Sequence, residues 1–411
     1  MRILFLSSLC STPLLPNLSP GNARILRALR GLAECRVVIP VPSFPAQLSR
    51  LVPRLKPPAE VPAVEVDQDG SPILHPRAFH IPGVARFLNA AFYALSLAPT
   101  VHSEVTHFRP NVILAPWVYP DGTAAVALGE AFGVPVVVRA MGSDINQVAQ
   151  QPGRRTQVRW TLRHAARVLA VSRPLGQSIA ALGVAETKIA VIPTGVDPAV
   201  FYPRDRAQAR ADLGLPDGPL VLVAARLSPE KGLLHLLAAM SLLGAEPCFR
   251  VIVVGDGAQR GELEREVRRR DLGDWVRFDG FQPEARMPVY YSAADLVCLP
   301  SLAEGWPDVL MESFACGCPV VASAVGGVPE IVALTGAGLL VPPADPKALA
   351  QALLQALSHG RHPLTNGWHQ PPPPAWRRDE IAKAMSHHTV VETARRYLEV
   401  CQEAAQEGPA A

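Results

Sequence analysis

The sequence predicts an α/β protein of two domains, each a doubly wound, Rossmann-like parallel sheet. With 411 residues, the chain is too long for one core of ordinary size, which favours two domains. Short apolar runs alternate with amphipathic stretches in both halves, as strands and helices do in such sheets. Glycines recur where the apolar runs end, which is where a strand of this fold turns into the next helix.

The first half contains six apolar runs that predict strands, and helical stretches follow most of them. The runs cover residues 3–7, 36–41, 111–115, 136–139, 168–171 and 188–192. Residues 42–82 are rich in proline and break this alternation, and we predict a hairpin over residues 64–70. Asp67 and Asp69 form an Asp-x-Asp pair there. Such a pair can hold a metal-bound nucleotide sugar, but Gly70 favours a turn between two short strands.

A polar stretch at residues 203–218 separates the two halves, and we place the N-terminal domain at residues 1–200. The second domain is predicted over residues 201–378. Its strands begin near residues 220, 250, 276, 295, 319 and 339. Four prolines at residues 371–374 cannot be helical and predict an exposed spacer. A terminal helix is predicted in residues 379–411.

The most informative segment, residues 300–330, sets two carboxylates around the start of one predicted helix. Glu304 lies in the loop before it, Pro307 suits the first helical position, and Asp308 and Glu312 are one turn apart. The N–H groups of the first turn and the helix dipole favour an anion such as a diphosphate. Carboxylates accept hydrogen bonds from sugar or ribose hydroxyls. For the two glutamates alone, an amphipathic helix with solvated acids is the alternative.

The residues around this pair extend the pattern. Seven residues separate Glu304 from Glu312, Gly305 and Trp306 follow the first glutamate, and the helix ends in Ala-Cys-Gly before Pro-Val-Val-Ala and Gly-Gly-Val-Pro-Glu. In these features the chain resembles the group 1 (fourth) family of retaining glycosyltransferases, which has the GT-B fold. The resemblance implies two Rossmann-like domains facing a central cleft, with a terminal helix that crosses back to the N-terminal domain.

A second charged cluster, residues 226–232 (RLSPEKG), directly follows the predicted strand at residue 220. Ligands of open α/β sheets bind at the carboxyl ends of strands, and Arg226 and Lys231 suit two adjoining phosphates. A surface loop with ordinary charges is the alternative. Members of the resembled family carry an arginine and a lysine at this spacing, which hold the leaving nucleoside diphosphate.

The resemblance also implies roles for individual residues. Arg226 and Lys231 are expected to stabilise the leaving group electrostatically. Glu304, the third expected catalytic residue, would bind the sugar hydroxyls, and Glu312 would bind the ribose. The other expected donor-binding residues are Gly255, Phe281, Gly305, Pro307, Asp308 and Val309. For Phe281, which the resemblance places at a base-binding turn, burial in the core is an alternative that is compatible with that role. Retention of configuration is implied, without a metal ion or cofactor, because cationic side chains take the place of metal.

The acceptor side departs from the family pattern. Many relatives carry paired glycines in the loop after the first strand, whereas only Gly21 remains in residues 11–22. A histidine often follows the strand at residues 136–139, but here the sequence is Ala-Met-Gly-Ser-Asp. Asp121 and Asp144 are candidates for a sugar-facing role. A turn or N-cap is the alternative for Asp121 and an N-cap for Asp144.

Charge and cysteine content bear on location. The net charge of +3 excludes little, and seven cysteines without a CxxC spacing predict neither a disulfide framework nor a zinc site, which indicates a cytoplasmic protein.

Residues 145–185 contain six arginines and no acid. We predict that residues 154–173 contact anionic headgroups at the inner face of a membrane, or a lipid-diphosphate acceptor. A solvated helix is the alternative, and no nucleic-acid motif is present.

The sequence as a whole predicts an enzyme that moves a hexose-type sugar from a nucleoside diphosphate sugar to a glycan, lipid-linked or small-molecule acceptor, in polysaccharide or glycoconjugate biosynthesis. Two alternatives stay open. One is a non-catalytic sugar-nucleotide sensor or scaffold, which would bind the donor without turnover. The other is a nucleotide-sugar epimerase on the same fold, which would need additional acid and base groups facing the sugar.

Overall fold

The computed structural model describes residues 1–15, 18–44, 61–67, 69–81, 83–244, 249–357 and 376–408. They form two compact units. The first comprises Met1–Thr194 and Val390–Ala411, and the second comprises Gly195–Thr389. Each unit is built on a parallel sheet, so the prediction of two α/β domains is confirmed. The proline spacer predicted at residues 371–374 lies outside the described residues.

The described strands of the first unit form one large sheet and one small one. They are β1 (Arg2–Leu6), β2 (Glu34–Val38), β3 (Val41–Ser43), β4 (Val64–Val66), β5 (Pro72–Leu74), β6 (Arg77–Phe79), β7 (Val112–Ala115), β8 (Val136–Ala140), β9 (Arg167–Ala170) and β10 (Ile189–Val191). The large sheet has the order β10-β9-β8-β7-β1-β2-β5-β4, and β3 pairs with β6 separately. All of these pairs are parallel except β4 with β5. The six predicted strands are all present.

The predicted hairpin is formed by β4 and β5. Gly70 donates its N–H to the Asp67 carbonyl oxygen at 3.0 Å and has a φ of +82°, a conformation that glycine adopts readily. The carboxylates of Asp67 and Asp69 both pair with Arg30, at 2.5 and 3.0 Å. The turn interpretation of the Asp-x-Asp pair is confirmed, and its carboxylates face a cation of the protein itself.

Helices of the first unit cover its sheet and include the last helix of the chain. They are α1 (Pro20–Arg30), α2 (Asn89–His107), α3 (Thr123–Phe132), α4 (Ser143–Asn146), α5 (Arg154–His164) and α6 (Arg173–Ala180). The last helix, Val390–Glu407, presents an apolar face spaced by three and four residues. That face reaches the same core as Phe5 and Leu114, and it consists of Val390, Ala394, Tyr397, Val400, Cys401 and Ala404.

The second unit has a six-stranded parallel sheet in its described residues. Its strands are β11 (Leu220–Ala224), β12 (Arg250–Val254), β13 (Val276–Gly280), β14 (Leu296–Leu299), β15 (Val320–Ser323) and β16 (Gly338–Val341). The order β13-β12-β11-β14-β15-β16 reverses between β11 and β14. In doubly wound sheets, ligands bind at the carboxyl ends of the strands where the order reverses.

Helices connect the strands of the second unit. They are α7 (Arg206–Asp212), α8 (Leu233–Ser241), α9 (Arg260–Arg269), α10 (Met287–Ala293), α11 (Asp308–Ala315), α12 (Val328–Thr335), α13 (Pro346–Leu357) and α14 (Arg378–Ala384). The last helix of the chain, Val390–Glu407 in the first unit, is α15. No helix in the described ranges is long and apolar enough to cross a membrane.

The terminal helix predicted in residues 379–411 is instead two helices, α14 in the second unit and α15 in the first. Thr389 lies between them and forms an isolated β-bridge with Val196, while the Val196 N–H donates to the His388 carbonyl oxygen at 2.9 Å. An extended residue that pairs with another segment cannot continue a helix, so the helix is interrupted there.

Candidate active site

The two charged clusters predicted from the sequence follow β11 and β14, the strands at which the sheet order reverses. Arg226 and Lys231 lie in the loop after β11, and Glu304 lies in the loop after β14. The Leu302 N–H donates to the Glu230 carbonyl oxygen at 2.8 Å. This hydrogen bond joins the two loops, so the structure brings both clusters to one place.

Lys231 and Glu304 form an ion pair within this site. Lys231 Nζ lies 2.7 Å from Glu304 Oε1, and the side chains are 21% and 7% exposed. The same carboxylate oxygen accepts a hydrogen bond from Ser301 Oγ at 2.6 Å. The glutamate therefore has a fixed orientation, with its carboxylate held between a cation and a hydroxyl.

Arg226 has a similar partner in its own loop. Its Nη2 lies 2.7 Å from Glu230 Oε1, which also accepts from Ser228 Oγ at 2.7 Å. Burial alone would raise the pKa of Glu230, but the hydrogen bonds from Ser228 and Arg226 hold the pKa below its ordinary value. The Arg226 side chain is 71% exposed, so this cation is accessible from solvent.

Glycines allow the backbone to pass closely at this site. Gly232 has a φ of +66°, and a Cβ atom there would lie 2.0 Å from the Pro300 carbonyl oxygen. Gly255, which follows β12, has a φ of +130°, and a Cβ there would lie 1.9 Å from the Ala225 carbonyl oxygen. Any other residue at either position would push the loop after β11 away from the neighbouring strand ends.

Helix α11 begins at Asp308, one residue later than predicted, because Pro307 has an extended ψ of 108°. Gly305, Pro307, Asp308 and Val309 thus form the approach and first turn of this helix. Glu312, on the second turn, is buried, and its Oε2 accepts from the Tyr291 hydroxyl at 2.8 Å. The alternative of solvated acids is therefore wrong for Glu304 and for Glu312.

Phe281 follows β13 and is 61% exposed, so the alternative that it is a core residue is wrong. Within β13, Asp279 accepts a hydrogen bond from the Tyr290 hydroxyl at 2.9 Å and pairs with Arg277 at 2.7 Å. Burial and the hydrogen bond to Asp279 raise the pKa of Tyr290 to about 12. Tyr290 therefore acts as a neutral hydrogen-bond donor.

The predicted acceptor-side carboxylates are both fully buried in the first unit. Asp121 accepts from the Ser8 N–H at 2.6 Å and from the Ser7 and Ser8 hydroxyls. Burial raises its pKa to about 6 despite these bonds. Asp144 accepts from the N–H groups of Met141 and Gly142 at 3.1 and 2.9 Å, and burial raises its pKa as well. Both carboxylates thus accept hydrogen bonds from backbone N–H groups, and a sugar-facing role for either stays a prediction.

Gly21, the third acceptor-side candidate, lies in the first turn of α1. The next residue, Asn22, accepts a hydrogen bond from the buried Arg139 guanidinium at 2.7 Å, and Arg139 also donates to Thr194 Oγ1 at 2.7 Å. No carboxylate pairs with Arg139 among the residues described. Arg139 was not among the residues predicted from the sequence, although an arginine near the end of an otherwise apolar strand is a usable signal.

The arginine-rich segment is only partly available as a basic surface. Arg155, Arg159 and Arg163 on α5 are exposed. Arg167 instead forms ion pairs with Glu403 and Glu407 of α15, so its charge is neutralised. The exposed Phe87 lies beside this helix, since its carbonyl oxygen accepts from Gln157 Nε2 at 2.7 Å.

Solved structures share this architecture. Sucrose-phosphate synthase from Thermosynechococcus elongatus superimposes with a TM-score of 0.73 at 24% identity, covering 99% of this chain and 98% of that one. Alr3699/HepE from Anabaena in complex with UDP gives 0.72 at 21% identity, covering 98% and 100%. The fold is GT-B, as the sequence predicted.

Sequence comparison identifies the family. Residues 205–367 match the glycosyl transferases group 1 family and residues 23–200 match glycosyltransferase family 4. The 2-deoxystreptamine glucosyltransferase of Streptomyces kanamyceticus is 30% identical over 358 residues, which are 82% of this chain and 89% of that protein. The chain belongs to the group 1 glycosyltransferases, and the predicted family is confirmed.

A higher identity is confined to a shorter segment. A D-inositol 3-phosphate glycosyltransferase from Segniliparus rotundus is 42% identical over 160 residues, 38% of this chain and 36% of that protein. The match thus spans about a third of that relative's length. What that relative acts on therefore says nothing direct about the donor or acceptor of this chain.

Proposed function

We propose that this chain is a retaining, metal-independent glycosyltransferase. It moves a hexose-type sugar from a nucleoside diphosphate sugar to a glycan, lipid-linked or small-molecule acceptor in polysaccharide or glycoconjugate biosynthesis. One observation carries the proposal: Arg226, Lys231, Glu304 and the start of α11 converge where the sheet order reverses between β11 and β14. This is the place at which doubly wound sheets bind nucleotides.

The residues present can supply the chemistry of the donor half. A nucleoside diphosphate leaves readily when its developing charge is stabilised, which Arg226, Lys231 and the first N–H groups of α11 can do. Glu304 and Glu312 would accept hydrogen bonds from the sugar and the ribose. Retention is proposed to follow a front-face route, in which a donor phosphate oxygen helps to deprotonate the acceptor. No metal ion or organic cofactor is needed in this scheme.

Uracil nucleotides are the first donors to test. Alr3699/HepE has been solved with UDP and with UDP-glucose, and it shares the GT-B fold with this chain. UDP sugars are therefore tested before GDP and ADP sugars.

The direct test is a thermal-shift and hydrolysis screen of the full chain against UDP, GDP and ADP sugars, with and without EDTA. One nucleotide family is expected to stabilise the protein by ligand linkage, and EDTA is expected to have no effect. Lys231→Ala and Glu304→Ala should lose transfer, which donor hydrolysis reports in this screen, and should still unfold in a cooperative thermal transition. Glu266→Gln, in an ion pair with Arg269 on α9, is the matched control.

Binding without turnover by the unmodified protein would favour the sensor or scaffold alternative, and epimerised donor would favour the epimerase. Full activity of both the Lys231 and Glu304 variants would contradict the site assignment. An absence of any shift with all three nucleotide families would refute the transferase proposal itself.

We also propose a cytoplasmic enzyme that contacts the inner face of a membrane through residues 154–173. The exposed Arg155, Arg159 and Arg163 and the adjacent exposed Phe87 support this, since basic and apolar side chains together bind anionic bilayers. The protein should co-sediment with phosphatidylglycerol vesicles but not with phosphatidylcholine vesicles. Changing the three arginines to glutamine should abolish this, whereas Arg167→Gln should not. Equal sedimentation of all variants would contradict the proposal.

A further inference from the structure

Both cations assigned to the diphosphate already have an internal counter-ion of the same design. Glu304 Oε1 accepts from Lys231 Nζ at 2.7 Å and from Ser301 Oγ at 2.6 Å. Glu230 Oε1 accepts from Arg226 Nη2 at 2.7 Å and from Ser228 Oγ at 2.7 Å. In each case one carboxylate oxygen is shared between a cation and a serine hydroxyl, which fixes the glutamate beside the cation.

We propose that Glu304 discriminates the sugar nucleotide from the free nucleoside diphosphate, because it competes with the diphosphate for Lys231. The inference rests on the proposed function, since it assigns Lys231 to the diphosphate. Glu230 is the corresponding positioning residue for Arg226. It holds the guanidinium in the loop after β11 and competes for it in the same way.

The discrimination follows from where Glu304 lies. Its side chain is only 7% exposed, so a carboxylate that loses its cation there is poorly compensated by water. A sugar nucleotide brings hydroxyl groups that donate to Glu304 when Lys231 moves to the diphosphate. A free nucleoside diphosphate takes the lysine and offers Glu304 nothing in return. The intact donor is therefore bound more tightly than the product, and Glu304 recovers Lys231 when the product leaves.

The two pairs should differ in strength. Breaking a hydrogen bond to a charged, buried partner is expected to change affinity roughly tenfold or more. Arg226 is 71% exposed, and pairs with such an exposed member contribute little. The effect of Glu230 on nucleotide affinity is therefore expected to be below about threefold.

The test is isothermal titration of UDP and UDP-glucose, or of the GDP or ADP pair if the thermal-shift screen selects it, into the unmodified protein and three variants. Glu304→Gln removes the charge that competes for Lys231 and should tighten UDP roughly tenfold, while UDP-glucose affinity stays equal or falls. Glu230→Gln should tighten both ligands slightly. Glu266→Gln, which neutralises the partner of Arg269 and Arg270, is the matched control and should change neither.

Unchanged or weaker UDP binding by Glu304→Gln, with normal binding by the unmodified protein, would overturn the inference and leave the proposed function standing. If the unmodified protein binds no UDP, GDP or ADP, both fall together. Thermal unfolding shows whether each variant is folded. Should Glu304→Gln not fold, Ser301→Ala replaces it, because losing the hydroxyl at the shared oxygen loosens Glu304 and should tighten UDP in the same direction. An unchanged UDP affinity in that variant would also overturn the inference.

Discussion

Replacing Asp121 by asparagine should change how the stability of the first unit depends on pH. Asp121 is fully buried, and its pKa is raised from 3.8 to about 6. Because the folded pKa lies above the unfolded one, the stability linked to this group is present below about pH 4 and is lost as the pH rises through about 6. One pKa unit corresponds to about 1.4 kcal/mol, so the loss amounts to about 3 kcal/mol.

In Asp121→Asn this loss disappears, because an amide does not ionise. The variant also alters the hydrogen bonds to Ser7 and Ser8, but that effect is the same at every pH and cancels in the slope. The free energy of unfolding of the variant minus that of the unmodified protein should therefore rise by about 2 kcal/mol between pH 4 and pH 7, because the rest of the loss of about 3 kcal/mol falls outside that range.

This difference is measured by urea unfolding at several pH values. Hydrogen exchange of peptides from β1 serves as the probe, because it reports unfolding of the unit that contains Asp121. Asp69→Asn is the control. Asp69 is exposed and its pKa is lowered, chiefly by the hydrogen bond from the Ser71 N–H, so its stability contribution is lost as the pH falls. A flat difference for Asp121→Asn, or one that decreases as the pH rises, would refute the assignment of a raised pKa to this buried carboxylate.

Two further changes test the second unit. Gly232→Ala places a Cβ 2.0 Å from the Pro300 carbonyl oxygen at a φ of +66°, and it should destabilise the unit by about 1–3 kcal/mol in chemical denaturation; an unchanged midpoint would contradict the close approach. Tyr291→Phe removes the hydroxyl that donates to Glu312 at 2.8 Å, and it should lower stability by about 1–3 kcal/mol and weaken UDP binding in titration, whereas a loss of stability alone would separate Glu312 from the ribose.

The sheets were predictable because their strands are short apolar runs between turn residues. β7, β8 and β11 are buried along their whole length, and such strands have the same apolar pattern in any context. The interruption between α14 and α15 was not predictable, since it depends on the bridge of Thr389 with Val196. Nothing in the local sequence around Thr389 records that long-range pair.

At the site, too, the features set by local sequence were predictable and those set by long-range contacts were not. Glu304 and Glu312 lie within one short segment, and Arg226 and Lys231 lie within another. The sequence alone therefore indicates a nucleotide-binding site. The contacts that orient these groups come from elsewhere in the fold. Tyr291 reaches Glu312 from α10, and Ser7 and Ser8 bind Asp121 from 114 and 113 positions away. Polar partners that meet only after packing leave no pattern in the chain.

The position of α15 has a consequence for biosynthesis. Its apolar face belongs to the core of the first unit, yet the whole of the second unit, Gly195–Thr389, is translated before it. At about 5–20 residues per second, the ribosome needs about 10–40 s to make that segment. Throughout that interval the first unit exposes the apolar surface that α15 later covers, while the second unit is a continuous segment that can complete its own core. The N-terminal unit is thus the last to be finished, and nascent chains carry an aggregation-prone apolar surface until α15 has left the ribosome.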